Sequence, residues 1–445
     1  MTELFEYIKP EYLIIIGASL IIILSFIFNF ISIKTNIPSV LLLMALGIVI
    51  QYIFPELKRH PLISKALIIV GKVGLILIVL EAALDLKIKK DKISLIIKSF
   101  LMALLGLFGS SFLIAFALQY FLETAFYEAF IYAVPLSIMS SAIIIPSVAN
   151  LTEFKKEFMI YESTLSDIFG IILFQFLVTP EEYYSTSHVI LSVSSNIFIT
   201  VLAAVVFSYI TVWGIQKLTS HVKLFLIIAV LMLIYAIGSV FHLSSLIFIL
   251  FFGLILNNTD VFFKGFLKKS ISKTRLKPIY KEFYTITLES AFILRTFFFV
   301  TFGLTISLIS LINYQVALQS LVIVGILYCV RFIFLKILLW DKDIVPQLFI
   351  APRGLITVLL FYTIPAHYTL ANFNQGILLY TILITSGVMT IALVIGKNKG
   401  KNISELLSDY DALHGSIEKS LEDGHHLFEE ENVDLNKTDN QNLKN

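Results

Sequence analysis

Apolar residues in this chain gather into long runs separated by short polar segments, with neither the alternation of a half-buried strand nor the narrow stripe of a surface helix. The runs have the length, roughly 20 residues, that an α-helix needs to cross a hydrocarbon core of ~30 Å. Thirteen of them fall at about 11–32, 37–54, 62–84, 95–122, 127–150, 157–179, 188–216, 222–240, 243–257, 282–311, 315–339, 344–367 and 372–396. The pattern predicts an all-α polytopic membrane protein of about thirteen transmembrane helices. After Lys397 it stops: residues 398–445 are polar, carry the acidic run Glu429–Glu431 and end rich in asparagine. Such a composition buries too little apolar surface to order itself. The expected division is a membrane domain at 1–397 and a largely disordered tail at 398–445, with room for a short amphipathic helix at Ile403–Leu413.

Composition agrees. Of 445 residues 58% are hydrophobic and 14% charged, with a mean hydropathy of +0.90, whereas a soluble domain carries about a quarter charged residues. The net charge of +2 is too small to imply a nucleic-acid partner. The lone Cys329 excludes a disulfide framework or a cysteine metal cluster. Leu13–Ile33 is long enough to be a retained first span rather than a cleaved signal.

Basic residues set an orientation. Loops after odd-numbered spans hold Lys34, Lys87, Lys89, Lys90, Lys92, Lys155, Lys156, Lys217 and Lys223, and the loop at 264–281 is densely basic. Loops after even-numbered spans offer little beyond Lys58 and Arg59. The positive-inside rule then puts the N-terminus outside and the C-terminus in the cytoplasm of a multi-pass cell-membrane protein. An odd span count fits that, and the basic loop at Lys264–Lys281 can also meet anionic lipid headgroups.

Two spans contain residues that interrupt a helix: the fifth, with Pro135, Ser140-Ser141 and Pro146, and the twelfth, with Pro352-Arg353-Gly354. Proline removes a backbone donor, and broken backbone at membrane depth persists only inside protein or along a polar cavity. Breaks in corresponding spans of two halves point to inverted repeats around a midplane site. The intramembrane charges are Glu81, Glu162, Asp167, Glu289, Arg295, Arg331 and Arg353, and each is costly enough to mark function. No Ser-His-Asp set, His-Glu-x-x-His or phosphate loop accompanies them, and His425-His426 lie in the polar tail without further ligands at metal spacing.

The densest polar stretch is Tyr161–Phe174 in the sixth span. Ser163 and Asp167, four residues apart, share a helix face and can present oxygens to a small cation. Glu162 and Asp167 lie about 140° apart at 3.6 residues per turn, so they do not form a dyad. Glu162 instead needs a basic partner, and Arg331 near the middle of the eleventh span is the best candidate.

The order Glu162-Ser163-x-x-Ser166-Asp167 resembles the Glu-Ser-x-x-Asn-Asp motif of the monovalent cation:proton antiporter superfamily, in its sodium/proton exchanger branch. Ile78–Lys87, the Phe-rich segment from Glu289 to Ile306, Arg331 and Pro352-Arg353-Gly354 resemble further family segments in the same order, over about residues 10–397. The resemblance implies the sodium/proton antiporter fold, with inverted repeats and two broken crossing helices. It implies that Asp167 binds Na⁺ (or K⁺) and H⁺ in turn, with Ser163, Ser166, Ser140 and Ser141 as surrounding oxygens. Glu162–Arg331 would be a structural ion pair, Arg353 would offset the carbonyl ends of the half-helices, and Glu81 and Glu289 would lie along or near the access path. A homodimer without a cofactor is implied as well. Ser166 stands where the family has asparagine, and Ser140-Ser141-Ala142 replaces the branch's Thr-Asp-Pro, closer to a neighbouring branch that includes potassium/proton antiporters.

The implied activity is antiport, in which a proton and a cation compete for one buried carboxylate and either one neutralises it. With a serine at 166, one cation exchanges for one proton without net charge movement. K⁺/H⁺ antiport on the same fold is the alternative. A polytopic membrane transferase is the remote one, and it requires a histidine or carboxylate cluster at one membrane face.

Overall fold

The computed structural model describes residues 10–35, 37–56, 61–88, 92–148, 151–178, 186–216, 223–240, 245–263, 273–306, 313–340 and 342–395. The expected tail, His425-His426 and the loop from Lys264 to Lys269 lie outside these residues.

Within them the chain is helical. The helices are α1 (Pro10–Thr35), α2 (Ser39–Ile53), α3 (Pro61–Asp85), α4 (Ile93–Leu122), α5 (Phe126–Ser137), α6 (Ser141–Ser147) and α7 (Glu153–Val178). They continue with α8 (Thr186–Ile215), α9 (Lys223–Val240), α10 (Ser245–Asn257), α11 (Lys273–Thr305), α12 (Tyr314–Leu338), α13 (Leu355–Tyr362) and α14 (Gly376–Ile395). Eight spans are long and apolar enough to cross a membrane, one of them the α5–α6 pair taken together. Four shorter apolar helices and the interrupted 344–362 segment fill the remaining predicted positions. Helix is the expected outcome, because hydrocarbon offers no partner to a free N–H or C=O. Hydroxyls obey the same demand: buried Thr296, Thr381 and Thr385 and half-buried Thr301 each donate to the carbonyl four residues back.

The helices sort into two bundles. In one, α4 packs on α5, α7 and α12, while α7 also meets α6 and α13 meets α5. In the other, α11 packs on α2 and α3, α10 on α3, α8 and α9, and α1 on α2. Contact across the seam is carried mainly by α13 against α3 and α11, and by α7 against α10. The second bundle closes tightly at Gly47 and Gly303: a Cβ on Gly47 would sit 2.2 Å from the Val300 carbonyl, and one on Gly303 2.4 Å from that of Met44. Bare backbone is the only way α2 and α11 can meet so closely.

Both interruptions are present, with one difference from expectation. The fifth span breaks into two regular arms, α5 and α6, around 138–140. In the twelfth span only the downstream arm, α13, is a regular helix. Residues 345–349 form turns, held by Leu348 N–H to Ile344 O at 2.8 Å and Phe349 N–H to Pro346 O at 2.9 Å, and 351–354 are irregular. Pro346, Pro352 and Gly354 explain it, since two donors are missing and the glycine is a poor helix former.

Beside the basic loops, ion pairs fasten the helix ends. Lys92 reaches both Glu153 (3.0 Å) and Glu157, and Lys155 reaches Asp343 at 2.8 Å. The hydrogen bonds to Glu157 and Glu153 push the Lys92 ammonium pKa up from its usual value.

Candidate functional site

The two breaks meet backbone to backbone. Ser140 N–H donates to Pro352 O at 2.9 Å. A Cβ on Gly354 would lie 2.6 Å from Ser140 Oγ and 2.9 Å from Ile143 Cδ1, so position 354 tolerates only glycine without displacement of the crossing.

Each break orphans carbonyls, as any helix end does, and an arginine serves each set. Arg353 donates from Nε to Leu136 O at 3.0 Å and from Nη2 to Ser137 O at 3.1 Å, with Nη1 on Ala351 O. Those are the last carbonyls of α5, where the helix dipole is negative. Pro146 has no N–H to return to Ala142 O four residues earlier, and Arg295 Nη1 fills that gap from α11 at 3.1 Å. Arg295 Nη2 also pairs with Glu81 Oε2 on α3 at 2.8 Å, so Glu81 is held by a guanidinium. Glu289 is exposed on α11 and joins neither cluster.

Arg331 serves the turn that precedes the second break. It donates from Nε to Gln347 O and Leu348 O, both at 3.1 Å, and from Nη2 to Gln347 O at 2.8 Å. The same guanidinium grips both oxygens of Glu162, with Nη2–Oε2 at 3.1 Å and Nη1 on Oε1. Both side chains are buried. Ser166 lies on this side of α7, where its Oγ accepts the Met139 N–H at 3.1 Å and braces the break. Glu162, Ser166, Arg331 and Arg353 line one pocket with Met139 and Ser110.

Asp167 looks the other way. Its Oδ2 accepts the Ser141 N–H at 3.2 Å, and its Oδ1 has no partner although the residue is only 4% exposed. It opens onto a separate small pocket at the seam, walled by Ile78, Val79 and Ala82 of α3, Leu246, Ile247 and Leu250 of α10, and Ile356 of α13. Thr164 and Asp167 are the polar side chains in that lining. Ser163, the expected neighbour of Asp167, donates to Ile160 O at 3.2 Å and is not in that lining. Spacing alone could not choose between positions 163 and 164, because one helix face holds both the third and the fourth neighbour of residue 167.

The model of the family described as "Sodium/hydrogen exchanger, transmembrane" matches residues 18–395. The chain belongs to that family. The exchanger is thus a multi-pass cation/proton antiporter and not an enzyme. Its fold is similar to that of the sodium/proton antiporter MjNhaP1 from Methanocaldococcus jannaschii at pH 8: TM-score 0.64, 20% identity, 86% of this chain and 96% of that one covered. An electron-microscopy structure of the same antiporter gives TM-score 0.62 at 20% identity, over 89% and 97%. No curated protein matches the exchanger by sequence.

Sequence reasoning missed two partners in this exchanger. Arg295 stood out only as an intramembrane charge, yet Pro146, four residues after Ala142, already implied an orphan carbonyl in need of a donor. Thr164 drew no notice, since a threonine in an apolar helix ordinarily bonds its own backbone.

Proposed function

We propose that this exchanger carries Na⁺ against H⁺, one for one, across the cell membrane, with Asp167 as the group that the two ions share. One observation carries the reading: of the intramembrane acids Glu81, Glu162 and Asp167, Glu81 has Arg295 and Glu162 has Arg331, while Asp167 has only the neutral donors of Ser141 and a free oxygen on an apolar pocket. A bare carboxylate there is expensive, so a proton or a cation is required to neutralise it. Its place on the seam supports alternating access, in which the bundle of α4–α7, α12 and α13 shifts against the other and exposes Asp167 to either side in turn. The aliphatic wall from α3 and α10 opposes passage of the unneutralised anion. Position 166 is serine and Ser141 offers a backbone N–H, so no second acid is adjacent to take a second proton. That supports electroneutral exchange. The basic loops support an outside N-terminus and a cytoplasmic C-terminus, and the family resemblance supports a homodimer.

The test is exchange in everted vesicles, followed with a pH dye while Na⁺, Li⁺ and K⁺ are titrated. The expected result is proton efflux driven by Na⁺ or Li⁺, a cation KM that rises as pH falls, no response to clamped voltage, and no exchange in Asp167→Asn. Exchange surviving in Asp167→Asn overturns the site assignment, and rates that follow voltage overturn electroneutrality. K⁺/H⁺ exchange is the second reading, favoured by Ser140-Ser141-Ala142 in the first break. A response to K⁺ alone would establish it.

A further inference from the structure

We infer that Thr164, which lines the Asp167 pocket, is a direct ligand of the transported cation, sharing it with Asp167, and that Ser163, which is not in that lining, is not. The inference rests on the exchange reading above and adds the second protein oxygen to it.

Threonine hydroxyls inside these helices have a habit. Thr285, Thr296, Thr301, Thr381, Thr385 and Thr390 all donate to the carbonyl four residues back, at 2.7–3.0 Å. That bond satisfies a hydroxyl with no outside partner. Thr164, Thr287 and Thr357 depart from it, and of these three Thr164 is the one that lines the Asp167 pocket. Its side chain is 1% exposed, and its Oγ1 makes no hydrogen bond. The carbonyl it would use, Ile160 O, accepts the Ser163 hydroxyl. An unmade hydrogen bond on a buried hydroxyl is costly and calls for an explanation.

The explanation lies in what Thr164 faces. It lines the pocket that holds Asp167, whose Oδ1 is the other buried polar atom there without a partner. Residues three apart stack on one helix face with Cβ atoms about 5–6 Å apart, close enough for a hydroxyl and a carboxylate oxygen to converge on one small ion. The rest of the wall is aliphatic and gives a hydrated ion no replacement oxygens, so these two side chains carry the replacement of its water. A hydroxyl oxygen has lone pairs for a cation. A proton on Asp167 is bound covalently and needs no second ligand. Thr164 therefore weights the competition toward the cation.

The test is cation-driven exchange by purified protein in liposomes, comparing Thr164→Val, Thr164→Ser, Ser163→Ala and Asp167→Asn. Valine keeps the shape of threonine and deletes only the hydroxyl. The expected result is a Na⁺ or Li⁺ KM raised ~5–10-fold in Thr164→Val, the scale of one hydrogen-bond-like contact, with maximal rate retained. Thr164→Ser should hold KM within about twofold of the wild type, a margin well inside that scale, and Ser163→Ala should leave it unchanged. If the valine variant is poorly folded, Thr164→Ala supplies the same readout. An unchanged KM in the hydroxyl-free variant, or a raised KM in Ser163→Ala alone, overturns the assignment. Exchange that persists in Asp167→Asn instead overturns the underlying reading, so the two failures are distinct.

Discussion

Glu162→Gln separates a structural acid from a transporting one. Two of the five Arg331 N–H groups go to Glu162, another Nη1 hydrogen faces Met139 Sδ, and Nε and Nη2 hold the carbonyls of Gln347 and Leu348. Neutral interhelical hydrogen bonds in membrane proteins average only ~0.6 kcal/mol, because the membrane-unfolded chain finds other partners. A guanidinium stripped of its carboxylate is a different matter, since removing one partner of a buried pair costs about 3–5 kcal/mol. Glutamine can accept one of the two N–H groups but cannot balance the charge, so the larger scale applies. Arg331→Gln should cost as much again, because it strands the carboxylate and the two carbonyls. The double variant restores neutrality and should be more stable than the sum of the singles by about 0.5–3 kcal/mol, the range found for residues in direct contact. The assay is the fraction of monodisperse protein after heating in detergent, alongside cation KM for the folded fraction. A much lower melting temperature with wild-type KM and pH dependence is the expected outcome. Wild-type stability, or an altered KM in the folded fraction, would refute a structural role and make Glu162 part of the ion path.

Gly354→Ala places a Cβ 2.6 Å from Ser140 Oγ; overpacking costs about 1–3 kcal/mol and displaces Ser141 from Asp167, so exchange should fall sharply, with partial recovery on adding Ser140→Gly. Measured exchange equal to the wild type would show that the crossing yields without cost. Arg295→Met leaves Ala142 O and Glu81 without their donor and should reduce both stability and exchange. Adding Pro146→Ala returns an N–H to Ala142 O and should recover part of the stability, on the order of the ~1 kcal/mol of one hydrogen bond; no recovery in melting temperature would mean that the Arg295–Ala142 contact is incidental.

Much of this was legible in the sequence because a bilayer leaves few choices. Run length placed the spans, proline and glycine placed both breaks, and the cost of a buried charge pointed from Glu162 to Arg331. Geometry at finer grain was not legible. Ser163 and Thr164 are equally good neighbours of Asp167 by spacing, and only the packing of α7 against α3, α10 and α13 turns Thr164 toward the pocket. Ser166 could be placed beside Asp167 in the chain but not on the opposite side of the helix, where it serves Met139 N–H. The upstream arm of the twelfth span was expected as a half-helix from the family resemblance, yet Pro346 and Pro352 deny it the donors a helix needs.

The three arginines explain one another. Each sits within reach of backbone that a proline or a break has left unsatisfied: Arg353 at Leu136 and Ser137, Arg295 at Ala142, Arg331 at Gln347 and Leu348. Two of them carry an acid as well, so each of those acids already has a fixed basic partner. Arg353 spends its Nε, Nη1 and Nη2 donors on carbonyls and leaves Asp167 to itself. Had a guanidinium been placed against Asp167, its negative charge would be permanently compensated and no ion would be needed to neutralise it. The crossing of the two breaks thus does two things at once. It creates orphan carbonyls that absorb the positive charge, and it leaves one carboxylate, at the seam between the bundles, whose charge is open to compensation by a mobile ion.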